Sequence, residues 1–242
     1  MSSPTADRLR VGLLQCGYVR DDVAADHGDY PELFAALLAD RPIELVAFDV
    51  QKGPLPSSPN DCDGWLVSGS ANSTYEDLPW IQDTARFITE VIDAEVALIG
   101  ICFGHQLMAQ ALGGTVERSE RGWGVGVHTY EVTAPLPHWP TDLAPVTSLT
   151  MVASHQDQVS VLPDGAAVLA SSKHCPVAAF EVNDKTVAVQ GHPEFTAPLS
   201  RALIEVRRAV IGTEAVEAGL ASLDRPLDDS LVSSWFSSLL AS

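Results

Sequence analysis

Two short motifs in this chain bring together a thiol, an imidazole and a carboxylate. The first is Gly100-Ile101-Cys102-Phe103-Gly104, of the form Gly-x-Cys-x-Gly. The apolar run Val96 to Ile101 before it reads as a buried strand. After it, Leu107, Met108, Ala111 and Leu112 fall at helical spacing until Gly113 and Gly114 stop the helix. Glycines on both sides of the turn permit a sharp strand-to-helix corner, because neither adds a Cβ where space is short. Such a corner lifts Cys102 to the first turn of the helix, where free N–H groups and the helix dipole favour a thiolate. The pattern matches a nucleophile elbow, with sulfur in place of a serine oxygen. Free cysteines are most often small buried core residues, so a base must be found elsewhere in the chain.

A thiolate nucleophile needs a group that moves protons, and that group needs an orienting partner. Gly191-His192-Pro193-Glu194 follows an expected strand, Thr186 to Gln190. Residues two apart in extended chain point to the same side, so His192 can face the cysteine while Glu194 holds its far nitrogen. Alone, a His-x-Glu pair is most often an exposed loop feature. Attack on an amide carbonyl would create an oxyanion, and the Phe103 N–H at the helix start is placed to receive it. Gln106, one turn further along the same helix face, is positioned to contact a bound acyl group. His105 reads as structural, and Cys16, Cys62 and Cys175 read as inert for want of a nearby base. Trp123 and His128 sit on a β-segment where packing and specificity both fit. There is no Walker-type glycine loop and no metal-ligand spacing, so no metal or other cofactor is expected.

These residues need a scaffold that presents strand ends side by side. Leu9 to Gln15, Ile43 to Val50 and Gly64 to Ser68 read as strands, and Tyr30 to Asp40 and Trp80 to Glu95 as helices. The apolar face of the second helix would be Ile81, Ala85, Ile88, Val91 and Ile92. The alternation predicts an α/β fold: a doubly wound, mostly parallel sheet of the flavodoxin-like or Rossmann-like kind. Ligands bind such sheets beyond the carboxyl ends of the strands, so the SGSANST turn after Gly64–Ser68 should neighbour Cys102. Beyond Gly114, short β-rich segments predict a small antiparallel extension. Helices expected at Leu199–Ile211, Glu214–Leu223 and Ser230–Leu240 form a tail in which no chemistry is visible. The chain divides into an α/β domain over 1–196 and a helical extension of that same domain over 197–242.

Composition bounds the rest. The 242 residues are 46% hydrophobic and 19% charged, ordinary for a soluble globular chain. A formal charge of −18 argues against nucleic acid or an anionic membrane as partner. No apolar run could span a bilayer and the N-terminus resembles no signal peptide, so a cytoplasmic protein is expected.

Taken together, GICFGHQ and GHPEF ninety residues later resemble the class I, triad-type glutamine amidotransferase family. The similarity runs from the turn at Ser68 to Glu194 and includes Ser154-His155-Gln156-Asp157. It implies Cys102 as nucleophile, His192 as acid and base, and Glu194 as orienter. It further implies Ser70 as the second oxyanion donor, where many relatives carry glycine, and Ser154, Gln156 and Asp157 as part of the substrate-holding loop. Within the family the chain is similar to the stand-alone, GMP-synthase-like branch that includes γ-glutamyl peptide hydrolases. Neither an ATP-pyrophosphatase domain nor a separate N-terminal domain is expected. The implied activity is hydrolysis of a small-molecule γ-glutamyl amide through a thioester. The substrate is either glutamine, with ammonia passed to a separate synthetase subunit, or a γ-glutamyl conjugate. Two alternatives remain: a catalytically silent binding module, and a thiol hydrolase of the dienelactone type, whose order would be Cys…Asp…His.

Overall fold

The computed structural model describes residues 8–242; positions 1–7, where the sequence predicts no signal segment, lie outside the described residues. The first half alternates as expected. It runs β1 (Leu9–Gln15), α1 (Asp21–His27), α2 (Tyr30–Leu37), β2 (Ile43–Asp49), β3 (Gly64–Val67), α3 (Pro79–Asp93), β4 (Ala97–Ile101) and α4 (Phe103–Ala111). The second half is richer in strands: β5 (Thr115–Arg118), β6 (Gly124–Val132), β7 (Ser148–His155), β8 (Asp157–Val161), β9 (Ala167–Ser171), β10 (Ala179–Asn183) and β11 (Thr186–Val189). The chain closes with α5 (Ala197–Val206), α6 (Arg208–Ile211), α7 (Thr213–Ser222) and α8 (Asp229–Leu240).

Nine strands form one sheet in the order β2-β1-β3-β4-β11-β10-β9-β6-β7. The run from β2 to β11 is parallel, and from β11 to β7 each pair is antiparallel. Strands β3 and β4 are buried along their whole length, as parallel strands covered on both faces must be. Alternate residues face opposite layers. Leu66 and Ile99 join the core built by α2, α5 and α8, whereas Trp65, Val67 and Leu98 join the one built by α3 and α4.

Several expectations change in detail. The helix expected over Tyr30–Asp40 ends at Leu37, and the short α1 precedes it. On α3 the buried face includes Thr84 and Phe87, while Ala85 and Ile92 are only partly buried. Strands β5 and β8 pair with each other in a second, two-stranded antiparallel sheet. The helix expected over Leu199–Ile211 is interrupted at Arg207, which joins α5 to α6. The tail is built into the core: Trp235, Phe236 and Leu239 are fully buried, and the Trp235 indole N–H donates to the Pro137 carbonyl at 2.7 Å.

Register decides what the carboxyl edge presents. Val67 pairs with Gly100, and Ile101 with Val189, so β3, β4 and β11 end level with one another. The segments carrying Ser70, Cys102 and His192 therefore leave the sheet at adjacent points of the same edge.

Candidate active site

The turn after β4 is tight, and its strain falls on the cysteine itself. Cys102 has φ 52° and ψ −97°, a region that costs a non-glycine residue of the order of 1–3 kcal/mol. Its N–H donates to the Val189 carbonyl of β11 at 2.9 Å, which ties the elbow to the strand leading to His192. The flanking glycines serve close approach. A Cβ on Gly104 would lie 2.8 Å from Val67 Cβ and closer still to the Val67 carbonyl, while one on Gly100 would run into Met108 and the Gly104 backbone. Phe103 opens the helix, so its N–H has no partner within it.

His192 is fixed from three sides. Its N–H donates to the Val152 carbonyl at 2.8 Å, its ring stacks on Phe195 at 4.0 Å, and its Nδ1 lies 2.6 Å from Glu194 Oε1. Both side chains are buried. Burial alone would push the imidazole down. The Glu194 carboxylate, the charge on Cys102 and hydrogen bonds to both outweigh that, and His192 rises to about 10. Glu194 and Cys102 together thus favour the imidazolium, which donates Nδ1–H to Glu194. Two other buried histidines differ. Burial lowers His105, packed on Phe180, to about 3, and lowers His155 to about 3 as well. Neither bonds a carboxylate; of these three, His192 is the one bonded to both a carboxylate and the Cys102 thiol.

Beside this cluster lies a cleft of about 350 Å³, lined among others by Ser70, Cys102, Gln106, Asp157 and Arg207. Ser154 and Gln156 line it too, so it gathers most of the side chains expected at the site. Phe103 is buried against Trp80 beneath it. Gln106 donates to the Asp157 carbonyl at 2.8 Å and to Gln190 Oε1 at 3.1 Å, so its amide braces the 154–157 segment while facing the cleft. Asp157 accepts from the Ser73 hydroxyl at 2.6 Å, and His155 Nδ1 lies 3.2 Å from the Asp157 carbonyl. The Ser70 hydroxyl accepts from the Asn72 N–H at 3.2 Å, leaving the turn around Ser70 as a closed local loop.

The residues matched by the model of the glutamine amidotransferase class-I family are 28–205, and this range contains the elbow, the histidine and the carboxylate. The chain belongs to the class I glutamine amidotransferase family. Gamma-glutamyl peptidase 4 of Arabidopsis thaliana is 32% identical over 70% of this chain and 69% of its own length. One of the subunits of the glutamine-hydrolyzing GMP synthase of Halobacterium salinarum is 33% identical over 71% of this chain and 87% of its own. The fold is shared with a solved glutamine amidotransferase of Thermotoga maritima, at a TM-score of 0.74, 20% identity and 96% coverage of both chains. Family membership and these relatives support an amidotransferase or γ-glutamyl hydrolase type of activity, and they remove the dienelactone-type alternative.

The tail, in which the sequence shows no chemistry, reaches the cleft. Arg207 and Val210 line the cleft, and Arg207 Nη1 donates to the Ser154 hydroxyl at 3.1 Å. A signal was present in the sequence. At helical spacing Arg207 falls in line with Leu203, Ile204 and Ile211, all buried, and a cation on an apolar stripe needs a reason. Trp123, left open between packing and specificity, also lines the cleft. Among the described residues no helix is long and apolar enough to cross a membrane.

Proposed function

We propose that the chain hydrolyses a γ-glutamyl amide through a glutamyl thioester on Cys102. The observation that carries this reading is the strained Cys102 at the cleft, with His192 and its buried Glu194 partner beside it. The Cys102 thiolate attacks the γ-carbonyl carbon. The carbonyl electrons move onto oxygen, which the N–H groups of Phe103 and Ser70 receive. His192, held charged by Glu194, gives its proton to the leaving nitrogen as the tetrahedral adduct collapses, freeing ammonia or an amine. A water molecule then attacks the thioester carbon while neutral His192 takes its proton. Collapse expels the thiolate and releases the glutamyl carboxylic acid, which loses its remaining proton to solvent, with the imidazolium restored. Glu194 keeps the ring oriented throughout. Gln106, Ser154, Gln156 and Asp157 shape the side of the cleft that holds the rest of the substrate.

If the substrate is glutamine, the ammonia would pass to a separate synthetase subunit, in keeping with the haloarchaeal relative, which is itself one part of a synthase. If it is a γ-glutamyl conjugate, no partner is required, in keeping with the plant peptidase. The test compares ammonia release from glutamine with amine release from γ-glutamyl dipeptides, alongside Cys102→Ala. A glutamine-mimicking electrophile should label Cys102 stoichiometrically, and glutamine should block it. No turnover of either substrate class, together with no labelling, would leave the silent binding module as the answer.

A further inference from the structure

The 154–157 segment carries opposite charges at its two ends. At one end Arg207 donates to the Ser154 hydroxyl from the junction of α5 and α6; at the other stands the Asp157 carboxylate. A fully extended chain spans at most about 3.6 Å per residue, so the Cα atoms of Ser154 and Asp157 are within roughly 11 Å of one another, and Arg207 and Asp157 line the same cleft. Arg207 has no carboxylate within ion-pair distance among the described residues, and its one side-chain bond uses one of five guanidinium N–H groups. Acids outnumber bases by 32 to 14 in this chain, so an arginine beside the nucleophile that pairs with none of them is available to a ligand. Arg208, its neighbour, faces away and pairs with Glu205 and Glu217.

A γ-glutamyl compound has one reacting carbonyl and, three carbons away, an α-carbon bearing a carboxylate and an ammonium group. The cleft has a nucleophile, one cation and one anion to match. We infer that Arg207 binds the α-carboxylate of the substrate, so that the helical tail, not only the sheet, sets the requirement for a free α-carboxyl group. This rests on the γ-glutamyl reading above. The planar fork of the guanidinium suits a carboxylate better than an ammonium would.

The test uses the full-length chain and two ligands, glutamine and its α-carboxamide, which differ only in that charge. In the unmodified chain KM should favour the free carboxylate by about 10- to 100-fold, the range for a charge-assisted hydrogen bond. Arg207→Met should abolish the preference by weakening glutamine alone, with kcat little changed, and Arg207→Lys should restore part of it. Calorimetric binding of the same ligands to Cys102→Ala provides a readout that needs no turnover. Equal losses for both ligands would assign Arg207 a merely structural role, and an unchanged preference in Arg207→Met would overturn the inference outright, as would no binding of glutamine at all. Arg207-dependent binding without hydrolysis would sink the hydrolase reading while this one stands. Hydrolysis with no Arg207 dependence would do the reverse.

Discussion

Replacing Glu194 by Gln removes one charge and almost no volume, and the consequences can be worked out from the geometry. The carboxylate lies 2.6 Å from His192 Nδ1 with both groups buried, and it leads the influences that raise the imidazole against the opposing effect of burial. The rise from 6.5 to about 10, at about 1.36 kcal/mol per pH unit, represents roughly 5 kcal/mol in favour of the charged ring. Cys102 shares in it, so the carboxylate holds the leading part of the rise but not the whole. If leaving-group protonation requires the imidazolium, kcat/KM should fall progressively as pH rises past neutrality, towards the roughly 100-fold typical of a lost general acid. The alkaline limb of the pH profile should also move well below its position in the unmodified chain. Stability follows the same titration. The folded-state value exceeds the unfolded one, so the contribution is complete below about pH 6.5 and is lost as pH climbs through about 10. The difference in unfolding free energy between the two proteins should therefore be largest near pH 6 and shrink towards pH 10. Steady-state kinetics from pH 5 to 10 and denaturant unfolding across the same range are the assays. A variant within threefold of the parent, with its alkaline limb unmoved, would refute the assignment of Glu194 as the group that holds the ring charged.

Other perturbations test separate parts of the reasoning. Ser70→Gly leaves the backbone N–H in place, so kcat/KM should stay within about threefold; a fall approaching the 100-fold typical of a lost oxyanion donor would make the hydroxyl, not the N–H, the working group. Gly104→Ala places a methyl against the Val67 carbonyl and Cβ and should cost about 1–3 kcal/mol by denaturant unfolding, with activity falling further as α4 is pushed off the elbow. Trp235→Ala should cost about 3–5 kcal/mol, seen as a fall of roughly 6–20 °C in melting midpoint, because α8 is core and not an appendage.

The elbow was legible because everything that makes it is local. A buried strand, two glycines and a helical repeat fall within twenty residues, and each requires the same corner. His192 and Glu194 were legible for a related reason: a strand followed by a Gly-x-Pro turn could only leave the sheet at its carboxyl edge. What escaped was structure whose cause lies far off in sequence. Helix α1, DDVAADH, buries only Val23 and so shows no period to detect. Strands β5 and β8, with exposed Glu117, Arg118 and Ser160, bury only a single apolar position each, Val116 and Val159, too little to show a strand period. Arg207 hid inside a helical pattern that looked continuous; its role appears only once Ser154, fifty-three residues earlier, is brought beside it.

The division of the sheet suggests how labour is divided in the site. The parallel half presents the parts that the proposed acyl transfer through sulfur would use: the Ser70 turn from β3, the elbow from β4 and the His192 segment from β11, held level by register. Those parts cannot be varied independently, since Cys102 N–H bonds Val189 and the Gly104 N–H bonds the Ser68 carbonyl at 3.2 Å. The opposite wall is built otherwise. Trp123 precedes β6, the 154–157 segment joins β7 to β8, and Arg207 interrupts the tail helices that pack on Val125 and Val127. Trp123 and Arg207 meet the cleft from a loop and a helix junction, so they can change without disturbing the elbow, whereas the 154–157 segment is tied to it through Gln106. Selection between glutamine and larger γ-glutamyl compounds should therefore reside in the antiparallel half and the tail. Substitutions there should shift KM between substrates while leaving the rate of Cys102 alkylation by a small uncharged electrophile unchanged, whereas substitutions around Gly104 or Glu194 should alter both.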